Sequence, residues 1–153
     1  MRLIKLTQNK FSIVDNIDFL NLSRFKWHLT SNGYAKGKRK LNDKWQNVSL
    51  HRFLLNPPLD KEIDHINGDR LDNRRRNLRI VNHSQNQQNA IKPNTNTSGF
   101  KGVTWKPKSK KWQSYIMVAK KFIYLGLYSS KEEAARFYNQ AAVKYFGEFA
   151  RLN

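Results

Sequence analysis

Residues 91–99 read Ile-Lys-Pro-Asn-Thr-Asn-Thr-Ser-Gly, and a stretch so rich in turn-forming polar side chains is a linker by composition. It constrains the fold because a chain of this length is enough for one ordinary domain or two very small ones, and a linker here divides it into two. The chain of 153 residues divides into a first unit, residues 1–92, a link at 93–97, and a second unit, residues 98–153. A module of about 50–60 residues buries little surface, so small units are modestly stable or lean on each other. Cysteine is absent, which removes disulfides and the Cys-ligated structural zinc of many small modules. No structural zinc is expected. The opening Met1–Lys10 has no stretch apolar enough for a signal peptide, and no run approaches the roughly 20 apolar residues of a membrane helix. The expectation is a soluble cytoplasmic protein that is not secreted and meets no membrane.

Charge narrows the partner. There are 29 Lys and Arg against 11 Asp and Glu, a formal net charge of +18. Such an excess implies a polyanion, and nucleic acid fits better than an anionic membrane, because no strongly amphipathic basic helix is found. The carboxylates are unevenly placed. Residues 61–90 hold 4 of the 11. Carboxylates inside a phosphate-binding surface repel the ligand unless something positive sits on them, and a bound metal ion would do so.

Periodicity gives the elements. Residues 2–6 and 11–14 flank Thr7–Lys10 as a hairpin. Asp15 is a candidate N-cap for a short helix with Ile17, Leu20, Leu22 and Phe25 on its apolar side. Phe25–Leu29, Gly33–Lys40 and Trp45–Leu50 read as strands, and Leu50–Leu55 as an apolar turn before Pro57-Pro58. Glu62–Ile66 and Leu78–Val81 read as two strands joined by a polar loop with Gly68. Asn82 and Gln85 have capping-box spacing for a helix over about 83–91. After the linker come strands Phe100–Lys106, Lys111–Val118 and Lys120–Tyr128. Ser130 and Glu133 then open a helix, Lys131–Phe146, closed by Gly147. Its inner stripe is Ala134, Ala135, Tyr138, Ala141, Ala142 and Tyr145.

The middle block carries the chemistry. Asp64 and His65 lie on the first of its strands; Asn86 and Asn89 share a face of the following helix. A carboxylate and an amide oxygen are hard ligands that suit Mg²⁺. Neighbouring strand residues point to opposite faces, so Asp64 and His65 cannot both aim at one point without a twist. Taken singly, Asp64 and His65 read as a surface strand pair, Asn86 and Asn89 as exposed helix residues, and Asn77 as a turn cap. His51 read alone could be a half-buried structural histidine; His28 and His83 read as structural or exposed.

Together the stretches LHRFLLNPP and IDHINGDRLDNRRRNLRIVNHSQNQQN resemble the HNH nuclease family of phage and intron-homing endonucleases. The resemblance implies a ββα-metal core over about residues 50–90 with a β-rich N-terminal extension. It implies that His65 is the general base, that Asp64 and Asn86 hold one divalent ion, Mg²⁺ or Mn²⁺, and that Asn77 holds the loop orienting His65. His51 matches a recurrent histidine near the scissile phosphate. Arg74, Arg75, Arg76 and Arg79 could grip flanking phosphates, and Lys36, Lys38, Arg39 and Lys40 add backbone contacts.

In the last third, alternation puts Trp112, Ser114, Ile116 and Val118 under the helix. Ile123 and Leu125 join them, while Phe122 and Tyr124 point outward. The text SGFKGVTWKPKSKKW and IYLGLYSSKEEAARFYNQAAVKYFGEFARLN resembles the Apetala-two/ethylene-response-factor DNA-binding domain. That implies a three-stranded antiparallel sheet with one helix, and DNA contact by Lys101, Thr104, Lys106, Tyr115, Met117, Phe122 and Tyr124. Lysine replaces several arginines of the plant pattern, and lysine lacks the bidentate fork that reads bases.

The expectation is an α+β protein: a monomeric, metal-dependent endonuclease of homing or phage type acting on double-stranded DNA in a bacterial or phage-infected cell. The rivals are a non-catalytic DNA-binding regulator and a basic RNA-binding protein.

Overall fold

The computed structural model describes residues 1–90 and 95–153. It shows a mixed α and β protein with four small antiparallel sheets and few helices. The chain forms two compact units, Met1–His83 and Ser84–Asn153. That division falls upstream of the expected link at 93–97, part of which lies outside the described residues. Among the described residues no helix is long and apolar enough to cross a membrane.

The first unit opens with the hairpin β1 (Arg2–Lys5) and β2 (Phe11–Val14), paired Arg2 to Val14. Helix α1 (Asn16–Leu22) follows, and strands β3 (Trp27–Leu29), β4 (Ala35–Leu41) and β5 (Lys44–Ser49) make a three-stranded sheet in that order. Asn42 and Asp43, at φ 48° and 60°, form a two-residue turn between β4 and β5. Two left-handed residues in a row match the twist of a tight hairpin, and Asn and Asp tolerate them best after glycine. Ile4, Leu6, Val14, Leu22, Trp27, Ala35 and Leu50 form the core, with Phe25 and Phe53 edge-on to Trp27. Trp27 donates its indole N–H to the Leu22 carbonyl (2.8 Å), which satisfies its one polar atom in the dry interior. Gly37 must be glycine: a Cβ there would stand 2.9 Å from the Trp27 ring.

Two readings of this half are corrected. Leu50–Leu55 is a helix, α2, not a turn; Asn56 ends it in the left-handed conformation, its N–H bonded to the Arg52 carbonyl. In α1, Ile17 and Leu20 face solvent at 83% and 74% exposure, while Asp18 is buried. Asp18 turns inward because the Arg75 guanidinium meets both its carboxylate oxygens at 2.8 and 2.9 Å. Asp15 does occupy the N-cap of α1, but its side chain makes no capping bond; its carboxylate accepts the Arg75 backbone N–H (2.8 Å).

Strands β6 (Glu62–His65) and β7 (Leu78–Val81) pair antiparallel, with Asp64 opposite Arg79 and His65 opposite Leu78. Helix α3 (His83–Gln88) follows; Asn89 stands just past it in a turn, so the expected reach to residue 91 is not met among the described residues.

The second unit contains the sheet β10-β9-β8, made of Val103–Lys106, Lys111–Val118 and Lys121–Tyr128 in chain order, and helix α4 (Lys131–Phe146) packed on it. Ser130 accepts the Glu133 backbone N–H (3.1 Å), and Gly147 ends the helix at φ 53°. The buried stripe of α4 is Ala134, Ala135, Tyr138, Ala141, Ala142 and Phe146. Tyr145, expected inside, is 42% exposed. The alanines let the helix approach closely: at Gly102, a Cβ would lie 2.1 Å from the Tyr138 ring.

Candidate active site and nucleic-acid face

The loop between β6 and β7 folds back on the strand it leaves. Asn77 holds it: its side-chain oxygen accepts the Asn67 N–H (3.0 Å), and its amide nitrogen donates to the Asp72 carbonyl (2.7 Å). Asp72, 2% exposed, accepts hydrogen bonds from the Arg74 guanidinium and the Asn67 amide. The Arg74 guanidinium holds its carboxyl below the usual carboxylate range. β2 supplies the other wall. The Ile13 N–H donates to the Leu71 carbonyl and the Asn73 N–H to the Ile13 carbonyl, both at 2.8 Å. The N-terminal hairpin thereby fixes Asn73.

Asn73 is the residue that sequence reasoning missed. Its amide nitrogen donates to Ser12 Oγ (2.8 Å) and the Arg70 carbonyl (3.3 Å). Its oxygen is then the atom 3.2 Å from His65 Nε2. An acceptor there requires Nε2 to carry the proton, so Nδ1 holds the ring's basic lone pair. Burial lowers the His65 pKa, more than the Asn73 bond and the Asp64 charge raise it. The imidazole is therefore neutral at neutral pH.

The rings of His51 and Tyr34 flank His65, with centroids 5.3 and 6.0 Å away. His51 lies on α2, which brings it to His65 from fourteen residues upstream in the chain. Its pKa falls to about 3 through burial first, then the charges of His65, Arg52 and Lys36. The Arg70 guanidinium lies 4.8 Å over the Tyr34 ring and donates to the Asn32 carbonyl (2.6 Å). Neither Tyr34 nor Arg70 stood out in the sequence; the only available signal was that Arg70 lies inside the DHINGD–LDNRR run.

Asp64 and His65 take different partners, as strand alternation requires. Asp64 Oδ2 accepts Arg79 Nη2 and Nε at 2.7 and 2.9 Å. Three of the four arginines expected on phosphates thus serve within the fold: Arg74 with Asp72, Arg75 with Asp18, Arg79 with Asp64. Arg76 is exposed. His28 is exposed, and His83 pairs with Glu62 at the surface (2.8 Å). Among the described residues no group of three or more His, Cys, Asp or Glu gathers as metal ligands. The implied set is one carboxylate, Asp64, and one amide, Asn86. As donors these fit a hard cation that keeps several waters, and not zinc.

In the second unit, register sorts the sheet faces. Thr104 pairs with Gln113, Lys106 with Lys111, Tyr115 with Tyr124 and Met117 with Phe122. These side chains form the face away from α4, where Met117, Phe122 and Tyr124 are 49%, 55% and 55% exposed. Tyr115 and Phe122 stack at 5.0 Å and 20°. Lys101 stands apart: its ammonium donates to the Gln88 and Ala90 carbonyls, both at 2.8 Å, and burial lowers its pKa to about 8.

Comparison with known proteins shows what the two halves of the chain resemble. Residues 56–88 match the family model of the HNH endonucleases. Among relatives, an uncharacterized HNH endonuclease, L560 of Acanthamoeba polyphaga mimivirus, is 29% identical over 138 residues, 86% of this chain and 68% of that protein. The AP2-like ethylene-responsive transcription factor TOE2 of Arabidopsis thaliana is 38% identical over 61 residues, 40% of this chain but 13% of that protein. Protein 3.8 of Escherichia phage T7 is 36% identical over 63 residues, 40% of this chain and 52% of that protein. The chain thus spans about two thirds of the mimivirus relative and about half or less of the other two. No solved structure matches significantly. The middle of the chain is HNH-endonuclease-like and its C-terminal part AP2/ERF-like.

Proposed function

We propose that the protein is a metal-dependent DNA endonuclease of the homing or phage HNH type, its C-terminal sheet binding double-stranded DNA to select the site. The observation that carries the reading is His65, buried, with Nε2 bound to Asn73 and the His51 ring beside it, inside the segment that matches the HNH family. In this reading β6, β7 and α3 are the ββα-metal core. His65 Nδ1 takes the proton of the water that attacks phosphorus, and Asn73 keeps the ring in the tautomer that can do so. Tyr34 and His51 shield that imidazole from bulk water. A divalent ion, Mg²⁺ or Mn²⁺, held by Asp64 and Asn86, supplies charge neutralisation at the phosphate and the leaving oxygen. The row of Lys106, Met117, Phe122 and Tyr124, all exposed, with Thr104 and Tyr115 partly exposed beside them, supports DNA contact by the second unit, since a sheet face can enter the major groove. Lys101, committed to two carbonyls, supports it less.

The test is incubation of supercoiled plasmid with the protein in Mg²⁺, and again with EDTA. Nicked or linear product that disappears in EDTA and with His65→Ala, while a labelled duplex is still bound, supports the reading. Undiminished cleavage in EDTA removes the metal, and wild-type rates in His65→Ala remove the base.

A further inference from the structure

The β4–β5 hairpin has two unlike sides. One side packs inward: Ala35 is buried and Gly37 lies against the Trp27 ring. On the other, Lys36, Lys38 and Lys40 alternate along β4, and register sets them opposite Ser49, Asn47 and Trp45 of β5. All three lysines and Asn47 are exposed, and Trp45 is 68% exposed near the tip. Trp45 sets a broad aromatic ring with a polar N–H beside the lysine row, a side chain of the kind enriched at interfaces. The row also has a direction. Lys36 stands at the base, close enough to His51 for its charge to act on that ring. Lys38 and Lys40 lead away from the histidine pair along the strand.

We propose that this ribbon is a second DNA-binding element, distinct from the C-terminal sheet, which grips the duplex immediately beside the bond presented to His65. The inference rests on the nuclease reading for its ligand but not for its location. Cationic side chains at alternate strand positions meet phosphates, and a two-stranded ribbon has the width that a B-form major groove admits. The deep, narrow major groove of A-form RNA does not admit it. Trp45 and Asn47 would face base edges or sugars between the phosphates. Lys40 is already held by Asp43 at 2.9 Å, so Lys36 and Lys38 carry most of the contact.

The experiment uses the full chain in two arms. In the first, the triple variant Lys36→Ala, Lys38→Ala, Trp45→Ala is titrated against a labelled duplex at several salt concentrations. Loss of two phosphate contacts should flatten the slope of log affinity against log salt by roughly two and weaken binding on the order of tenfold at low salt. The thermal midpoint should hold, because these side chains are exposed. The second arm exploits the absence of cysteine. Asn47→Cys, labelled with a photo-crosslinker, should attach to the duplex within about one helical turn of the cleaved bond. Leu59→Cys, at a fully exposed control position, should not. Crosslinking without any cleavage would keep the ribbon and reject the nuclease reading. Cleavage and binding with an unchanged salt slope and no crosslink would reject the ribbon alone. Double-stranded RNA competing as well as DNA for the wild type, but not for the triple variant, would overturn the choice of partner.

Discussion

Asn73 Oδ1 lies 3.2 Å from His65 Nε2, and the other end of the same amide is committed to Ser12 Oγ and the Arg70 carbonyl. The amide cannot flip without losing both of those bonds. The histidine's tautomer is therefore written into the position of one asparagine.

Asn73→Ala should lower the single-turnover cleavage rate by at least about tenfold, within the roughly 10²–10⁴-fold that a general base supplies. Affinity for the duplex should stay near wild type. Ser12→Ala, which acts one bond further out, should show a smaller loss in the same direction. A rate unchanged in Asn73→Ala would show that the ring does not need this bond.

The pair formed by Asp64 and Arg79 is nearly dry, with side-chain exposures of 7% and 15%. Removing one member strands the other charge, which costs about 3–5 kcal/mol in buried pairs. Arg79→Ala should therefore lower the urea midpoint markedly. The double variant Asp64→Ala, Arg79→Ala should recover part of that loss. Additive losses would mean that the two side chains do not depend on each other.

His51 links folding to pH. Its folded pKa, about 3, lies below the unfolded value of 6.5. Between these values the unfolded chain binds the proton and the native protein does not, so stability rises with pH across that window. The contribution is complete above 6.5 and is lost progressively as pH falls toward 3. The wild type should lose more stability than His51→Leu between pH 7.5 and pH 5, read as the shift in urea midpoint. Parallel losses in the two proteins would remove His51 as the source.

Tyr115 and Tyr138 separate binding from folding in the second unit. Tyr138 is 2% exposed in the core, and Tyr138→Ala should cost about 3–5 kcal/mol of stability, as large aromatic truncations do. The Tyr115–Phe122 stack lies on the open face. Replacing both rings with alanine should cost DNA affinity about tenfold and little stability. The reverse pattern would place the binding surface elsewhere.

Much of the second unit was legible because its signals are local. Ser130 and Glu133, the alanine spacing and Gly147 all act within one helix. The strand expected from Phe100 begins only at Val103; a second slip, Tyr145 for Phe146, comes from the last turn of α4, where either neighbour satisfies the helical period and only the sheet beneath decides. The first unit hid more. Asp18 is buried and Ile17 exposed because of an arginine 57 positions away, and no pattern in the helix itself reports that. The α2 helix, six residues long, is too short for its period to separate it from a turn. In the candidate site, Asp64 and His65 stood out on their strand, while His51 and Asn77 came only with the family resemblance. Asn73 stood in plain view within the same run, but its role depends on Ser12 and Ile13, which reach it only after folding.

The hairpin at the start of the chain sets a limit on transplantation. A protein engineer who moved residues 56–88 into a foreign scaffold would carry across the histidine, the aspartate and the loop. The donor scaffold's β2, with Ser12 beneath Asn73, would stay behind. The graft would carry His65 without the hairpin that holds Asn73 against it.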